Sequence, residues 1–296
     1  MLLIGASMIE PLLALFAVLL VVPCTRITST QEGQNRQMRE LFDEVAGQSA
    51  ADPLEAARRS ARAPQRKRVY ASAGVGEVDG GFSVTLDGKP IKTPSGGRLI
   101  LPACSIAETI AAEWNAQGDT IDPLTMPVTR LANSVVQGVV GRVDVVADDV
   151  AKYLASDLLF YRAGYPEALV SREAAQWDPI LFWAADSLGA HFILAEGVMH
   201  VRQPEQAIAA ARATLPTDPW RIAALHVITT LTGSALLAIA LFHDAIDADR
   251  AWAAAHVDED WNAEKWGVDE EVATRRAARL VDYKAASAIL KALKPA

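Results

Sequence analysis

The stretch GFSVTLDGKPIKTP, residues 81–94, constrains the fold of this chain more than any other. Phe82, Val84 and Leu86 alternate with their neighbours, the period of a strand with one face buried. Asp87-Gly88 then interrupts the run. That dipeptide between alternating segments predicts a tight hairpin, because its turn type needs positive φ at both positions. Upstream, GVGEVDGG (Gly74 to Gly81) is glycine-rich. It lacks the lysine of a phosphate loop and no helix follows it, so a hairpin turn is the better reading. RLILP, residues 98–102, predicts another short strand. Residues 68–103 therefore read as a small β-rich domain. Roughly 35 residues bury too little surface to be stable alone, so this unit must pack on something.

The remainder supplies the partner, because after Pro102 the pattern turns helical. Ser105 and Glu108 have capping-box spacing ahead of IAETIAAEWNAQG, which Gly118 would end. Further helices are expected from about Val128 to Val140 and from Val143 to Tyr161. Asp178-Pro179 and Asp218-Pro219 each join an N-cap acid to a proline suited to the first helical position. They predict helix starts at PILFWAADSLG and PWRIAALHVITTLTG. Ser234 predicts the N-cap of SALLAIALFH, which is apolar all round and so a buried core helix. HFILAEGVMHV reads as a short hairpin. Asp247 is expected to cap one continuous helix to Trp266, stopped by Gly267, and Asp269 to cap the last one, to about Leu293. The fold class is thus α+β: a small N-terminal β-rich domain, 68–103, then a larger all-helical domain, 104–296.

Composition excludes some functions. Among 296 residues, 51% are hydrophobic, enough for a real core, and the formal charge is −8. That balance argues against a nucleic-acid binder, which would show a basic face. Cys24 and Cys104 form neither a disulfide framework nor a metal site, which fits a reducing compartment. Residues 2–24 are nearly all apolar, with only Glu10 charged, a marginal span without the positive charge that precedes a secretory signal. Residues 1–37 read as an apolar extension: a membrane segment, or a gene-model artefact with Met38 as the true start. Residues 38–67 read as a polar arm or helix ending in the basic run RAPQRKR.

Catalytic signatures are missing. There is no G-x-x-x-x-G-K-[ST] loop, and LTGSALL lacks the spacing of a nucleophile elbow. His191, His200, His226, His243 and His256 never fall four apart, and no C-x-x-C appears, so neither zinc nor another cofactor is expected. They read as ordinary core or surface histidines. In SDLLFYRAGYPEALVSREAAQWDP, Leu158, Leu159 and Tyr161 read as core, Arg162 as half of an internal salt bridge, and Trp177 as a staple before the Asp178 cap.

The C-terminal acids remain. Residues 244–271 hold ten acids against Arg250 and Lys265, a local charge equal to that of the whole chain. Asp269, Glu270 and Glu271 open a helix, where the dipole favours them by about 0.3–1 kcal/mol each, and Arg275 pairs with Glu271 one turn on. Asp258, Glu259 and Asp260 are expected near the end of a helix, where the dipole disfavours them. Beside them stand Trp261, Asn262 and Glu264. That placement predicts either a solvated face or a docking site for a basic partner. Trp261 and Trp266 lie about 140° apart on a helix, so one of them packs inward, and Trp266, at the Gly267 terminus, is the expected one.

Several motifs in order resemble the Atp-twelve family of ATP synthase assembly chaperones. They are LDGKPIKTP, AAEWNAQG, IDPLTMPVTRLANS, YLASDLLFYRAGYPEALVSREAAQWDPIL, TGSALLAIAL and VDEDWNAEKWGVDEE. The resemblance runs from about Arg68 to the C-terminus. Two departures are mild: Asn262 stands where the family usually has glutamine, and Trp261 where tyrosine or phenylalanine is commoner. The resemblance implies a non-enzymatic monomer, without cofactor, that holds the free alpha subunit of the catalytic sector until it pairs with beta. It places a functionally important acid at Asp258, with Glu259 adjacent. The implied partner site is Asp258, Glu259, Asp260, Trp261, Asn262 and Glu264. A bacterial cytoplasmic location follows, or an inner-membrane anchor if residues 2–24 are translated. The competing reading is a metal-dependent hydrolase built on the same carboxylates, with His256 as a further group.

Overall fold

Asp87 and Gly88 take φ angles of 46° and 78°, and the chain reverses there as the dipeptide requires. The computed structural model describes residues 66–294. The apolar extension, the Met38 start and the arm up to residue 65 lie outside the described residues. Strand β1 (Arg66–Lys67) pairs antiparallel with β5 (Thr120–Ile121). Strands β2 (Ala73–Val78), β3 (Gly81–Leu86) and β4 (Lys89–Pro90) form an antiparallel meander. At its first turn Gly81, with φ 148°, leaves no room for a Cβ against the Leu101 carbonyl. Val84 is fully buried, and Phe82 and Leu86 pack against the core, as the alternation requires. RLILP makes only isolated bridges, Phe82 to Leu101 and Lys92 to Arg98, rather than the expected strand.

The β unit rests on α1 (Cys104–Asn115), which lies against β2 and β3. Asn115 accepts from the Ala73 N–H and donates to the Ala73 carbonyl, fixing strand to helix. The capping box does not form. The N-cap is Ala103, which makes no side-chain cap bond, and Glu108 instead meets the Cys104 thiol. The helix starts at Cys104, two residues earlier than a Ser105 cap would set it.

Helix α2 (Pro127–Ser134) also lacks a cap of its own. The Glu113 carboxylate of α1 does that work, accepting from Val128 N at 2.7 Å and Thr129 N at 2.8 Å. A π-helical turn at Val135–Val139 follows, then α3 (Val143–Tyr153). The expected extension of α3 to Tyr161 fails because Asp157, fully buried, draws the chain away. It accepts from Leu159 N and from Leu236 N.

Helix α4 is the largest departure. It runs unbroken over Glu167–Leu188 with Pro179 inside it, so Asp178 caps nothing. Proline removes one internal hydrogen bond. Glu173, Trp177, Ile180 and Ala184 nevertheless form one buried face that passes through the proline, and packing on both sides holds the helix together. Asp178 instead receives the Arg162 guanidinium at 2.7 Å, the internal salt bridge expected of Arg162. Trp177 is no staple but a core residue, 1% exposed, whose indole N–H donates to the Ala254 carbonyl at 2.7 Å. HFILAEGVMHV is not a hairpin: β7 (Ala195–Glu196) pairs in parallel with β6 (Tyr161–Arg162).

The remaining helices are α5 (Glu205–Arg212), α6 (Pro219–Thr232), α7 (Ala235–Phe242), α8 (Ala248–Ala254), α9 (Val257–Trp266) and α10 (Glu270–Ala292). Asp218, Ser234, Asp247 and Asp269 all cap as their residue types predict. Helix α7 is buried along nearly its whole length, and α6 lies at the centre, packed on α3, α7 and α10. The outcome is α+β, a small β-containing region followed by a mostly helical part. No helix among the described residues is long and apolar enough to cross a membrane.

Candidate functional site

The expected single helix from Asp247 to Trp266 is two helices, and the break rebuilds the site. His256 is the N-cap of α9 and is buried. Its Nδ1–H donates to the Trp252 carbonyl at 2.7 Å, with its ring 4.0 Å from the Trp252 ring, centroid to centroid. Burial depresses the imidazole's affinity for a proton, so it stands neutral at pH 7. Asp258, Glu259 and Asp260 therefore occupy the first turn of a helix, not its end. The dipole stabilises them there, by about 0.3–1 kcal/mol each. Their placement is ordinary helix chemistry, and the expected conflict with the dipole does not exist.

Most of these acids have internal partners. Asp260 takes the Arg276 guanidinium of α10. Glu264 takes Arg172 of α4 in a bidentate pair, both distances 2.8 Å. That contact raises the arginine's proton affinity and lowers the carboxyl's. Asp258 turns toward α4, where it meets Glu173, 1% exposed. Burial first, then the Asp258 charge and hydrogen bond, push the Glu173 carboxyl up to about 7. Two ionised carboxylates can only accept, so a hydrogen bond between the two needs a proton on one of them. Glu173 accepts from the Ala163 N–H at 2.9 Å, and in its protonated form it can also donate to Asp258. Glu259 is exposed with no cationic partner, the neutral His256 imidazole lying 3.9 Å away.

The two tryptophans exchange their expected places. Trp261 is half-buried between cations, with Lys265 Nζ 4.6 Å and the Arg172 guanidinium 5.2 Å from its ring centre. Trp266 is 85% exposed and Val268 beyond it 69%. Asn262 is exposed. Between α4 and α9 lies an open cleft of about 560 Å³, floored by Ala253, Val257, Ala263 and Val268 and rimmed by Arg172 and Glu264. Helical spacing sorts α9 into faces. Glu259, Asn262 and Trp266 form an outward stripe, while Asp260, Ala263 and Glu264 turn to the cleft. The exposure of Trp266 has one signal in the sequence, its position beside the Gly267 stop at the end of the helix.

Among the described residues no group of three or more His, Cys, Asp or Glu side chains is arranged to hold a metal ion. The Asp149–His226 pair, 2.7 Å between Oδ2 and Nε2, joins α3 to α6.

Comparison with known proteins agrees with this architecture. The family model of the ATP12 chaperone protein matches residues 67–185. The solved structure of the Atu1473 protein from Agrobacterium tumefaciens is 46% identical and superposes with a TM-score of 0.75, covering 88% of this chain and 99% of that one. Atp12 from Paracoccus denitrificans is 39% identical with a TM-score of 0.72, covering 77% of this chain and 98% of its own. An aspartate-to-lysine variant of that protein matches equally. With nearly the full length of these structures accounted for at this level of identity, the chain belongs to the ATP12 chaperone family, the chaperones of ATP synthase assembly.

Proposed function

We propose that this chaperone holds the free alpha subunit of the ATP synthase catalytic sector, before beta pairs with it, through the surface of α9. Family membership carries the proposal, and the surface chemistry supports it. An unpaired subunit of an oligomer exposes an apolar interface that invites self-association. A protein that covers it needs no reaction chemistry, only affinity for the exposed interface that ends when the true partner arrives. Asp258, Glu259, Asp260, Trp261, Asn262 and Glu264 make up the assigned surface. Carboxylates there steer a basic partner and set register, and the exposed Glu259 is free to do so directly. Asp258 acts through its bond to Glu173, which fixes α9 against α4. The protein works as a cytoplasmic monomer in this scheme.

Capture of the full chain from its own cells is expected to co-purify alpha subunit free of beta. Replacing Asp258 and Glu259 together by Lys is expected to lower the amount of assembled ATPase several-fold. Unchanged assembly in that double variant counts against the α9 site. Unchanged assembly after removal of the whole protein counts against the function.

A further inference from the structure

Trp266 is a large aromatic side chain with almost no contact to the rest of its own protein. Gly267, at φ 90°, ends α9, and Trp266 and Val268 on either side of it are 85% and 69% exposed. Val272, on the first turns of α10, is exposed as well. Burial of this corner contributes little to folding, since most of its apolar surface stays in water. Exposed apolar surface rimmed by charge marks a protein-binding site, and tryptophan is prominent among residues that dominate binding energy.

The corner does not stand alone. Val268 also lines the α4–α9 cleft, so an apolar side chain resting on the corner has a concave seat beside it. The rim is acidic: residues 264–272 hold Glu264, Asp269, Glu270 and Glu271 against Lys265. Along α9, Glu259 lies on the same face as Trp266, two turns away, or about 10 Å of helix rise. Glu259 is the one carboxylate of the α9 cluster that faces solvent without a charged partner.

From this arrangement we infer that Trp266, with Val268, is the anchor of the chaperone's docking surface, and that the surface receives a client segment of defined chemistry. The segment carries an apolar side chain that packs on the Trp266–Val268 corner, beside the cleft that Val268 lines, and a lysine or arginine about 10 Å away that pairs with Glu259. Trp261, expected as the anchor from its place beside the acids, is held between Lys265 and Arg172 and braces α9 instead. The inference rests on the proposal that the free alpha subunit is the client, and it names the residue on which that binding turns and the kind of segment it takes.

The test uses the full chain and purified free alpha subunit. Affinity is measured for the unaltered protein and for Trp266→Ala, Trp266→Phe, Glu259→Lys and, as a control at an exposed apolar residue elsewhere, Val198→Ala. Trp266→Ala is expected to weaken binding at least tenfold, Trp266→Phe by less, Glu259→Lys severalfold, and Val198→Ala not at all. The difference in emission between the unaltered protein and Trp266→Phe should shift to shorter wavelength on binding, as Trp266 leaves water. Binding by Trp266→Ala within twofold of the unaltered protein overturns the inference and leaves the proposed client standing. No binding of alpha by the unaltered protein overturns both. Light scattering showing a dimer that Trp266→Ala dissolves would assign the corner to a second copy of this chain and also overturn it. Should Trp266→Ala lose its helical circular dichroism, Trp266→Phe and the emission shift decide alone.

Discussion

Glu173 of α4 and Asp258 of α9 meet as a carboxyl pair at the interface of the two helices, where burial and the neighbouring carboxylate push the Glu173 carboxyl up to about 7. The pair ties the acidic α9 to α4, through the Ala163 N–H on one side and the α9 first turn on the other. Arg162, packed over Trp177 at 5.0 Å, faces the same site and draws the Glu173 carboxyl down, against the larger effect of burial.

The Glu173 carboxyl therefore makes stability depend on pH with a definite sign. Its proton affinity is raised in the folded protein to about 7, above the ordinary glutamate value. The folded state binds more protons than the unfolded one in that window, so the contribution is complete at low pH and is lost as pH rises to about 7. Glu173→Gln keeps a donor toward Asp258 and an acceptor for Ala163 N–H without the titration. Thermal melts across pH 5–8 are expected to lose most of their slope in that variant. The fully buried Asp157, pushed up to about 6, adds slope of the same sign, and the buried His256, whose proton affinity is depressed, adds slope of the opposite sign.

Trp177 should be among the least replaceable side chains. It is 1% exposed and its N–H satisfies the Ala254 carbonyl at the end of α8. Trp177→Ala is expected to cost about 3–5 kcal/mol in urea unfolding. Trp177→Phe fills much of the volume but leaves the carbonyl unpaired, for about 1–3 kcal/mol.

Asp157 binds two segments remote in sequence, receiving the N–H groups of Leu159 and Leu236. Asp157→Ala strands both in a dry interior and is expected to cost at least ~2 kcal/mol. Amide exchange at Leu236 should accelerate along with the loss, which a purely local effect near residue 157 would not produce.

Arg172→Ala removes a bidentate pair and a cation over Trp261, yet both partners are partly solvated. Its cost to folding should stay within about 1 kcal/mol. A clear change in α-subunit binding with so small a change in stability would locate Arg172 on the docking surface, at the rim of the cleft it lines.

Local chemistry was legible wherever its cause lay within a few residues. The Asp87-Gly88 turn and the caps at Asp218, Ser234, Asp247 and Asp269 depend on short-range geometry, so residue type and spacing determine them. The buried character of α7 follows from composition alone. Tertiary structure decided the rest. No proline or glycine marks the break between α8 and α9; the buried His256, bonded to the Trp252 carbonyl, makes it. Conversely, the Asp178-Pro179 signal was overruled because Trp177 and Ile180 bury one continuous face across it. The same cause explains the site. Whether Asp258 opposes or suits a helix dipole, and whether Trp261 or Trp266 meets solvent, depends on where α9 begins and which face lies on α4. Those are settled by contacts between residues far apart in the chain, Glu173 with Asp258 and Arg172 with Glu264, which no local pattern encodes.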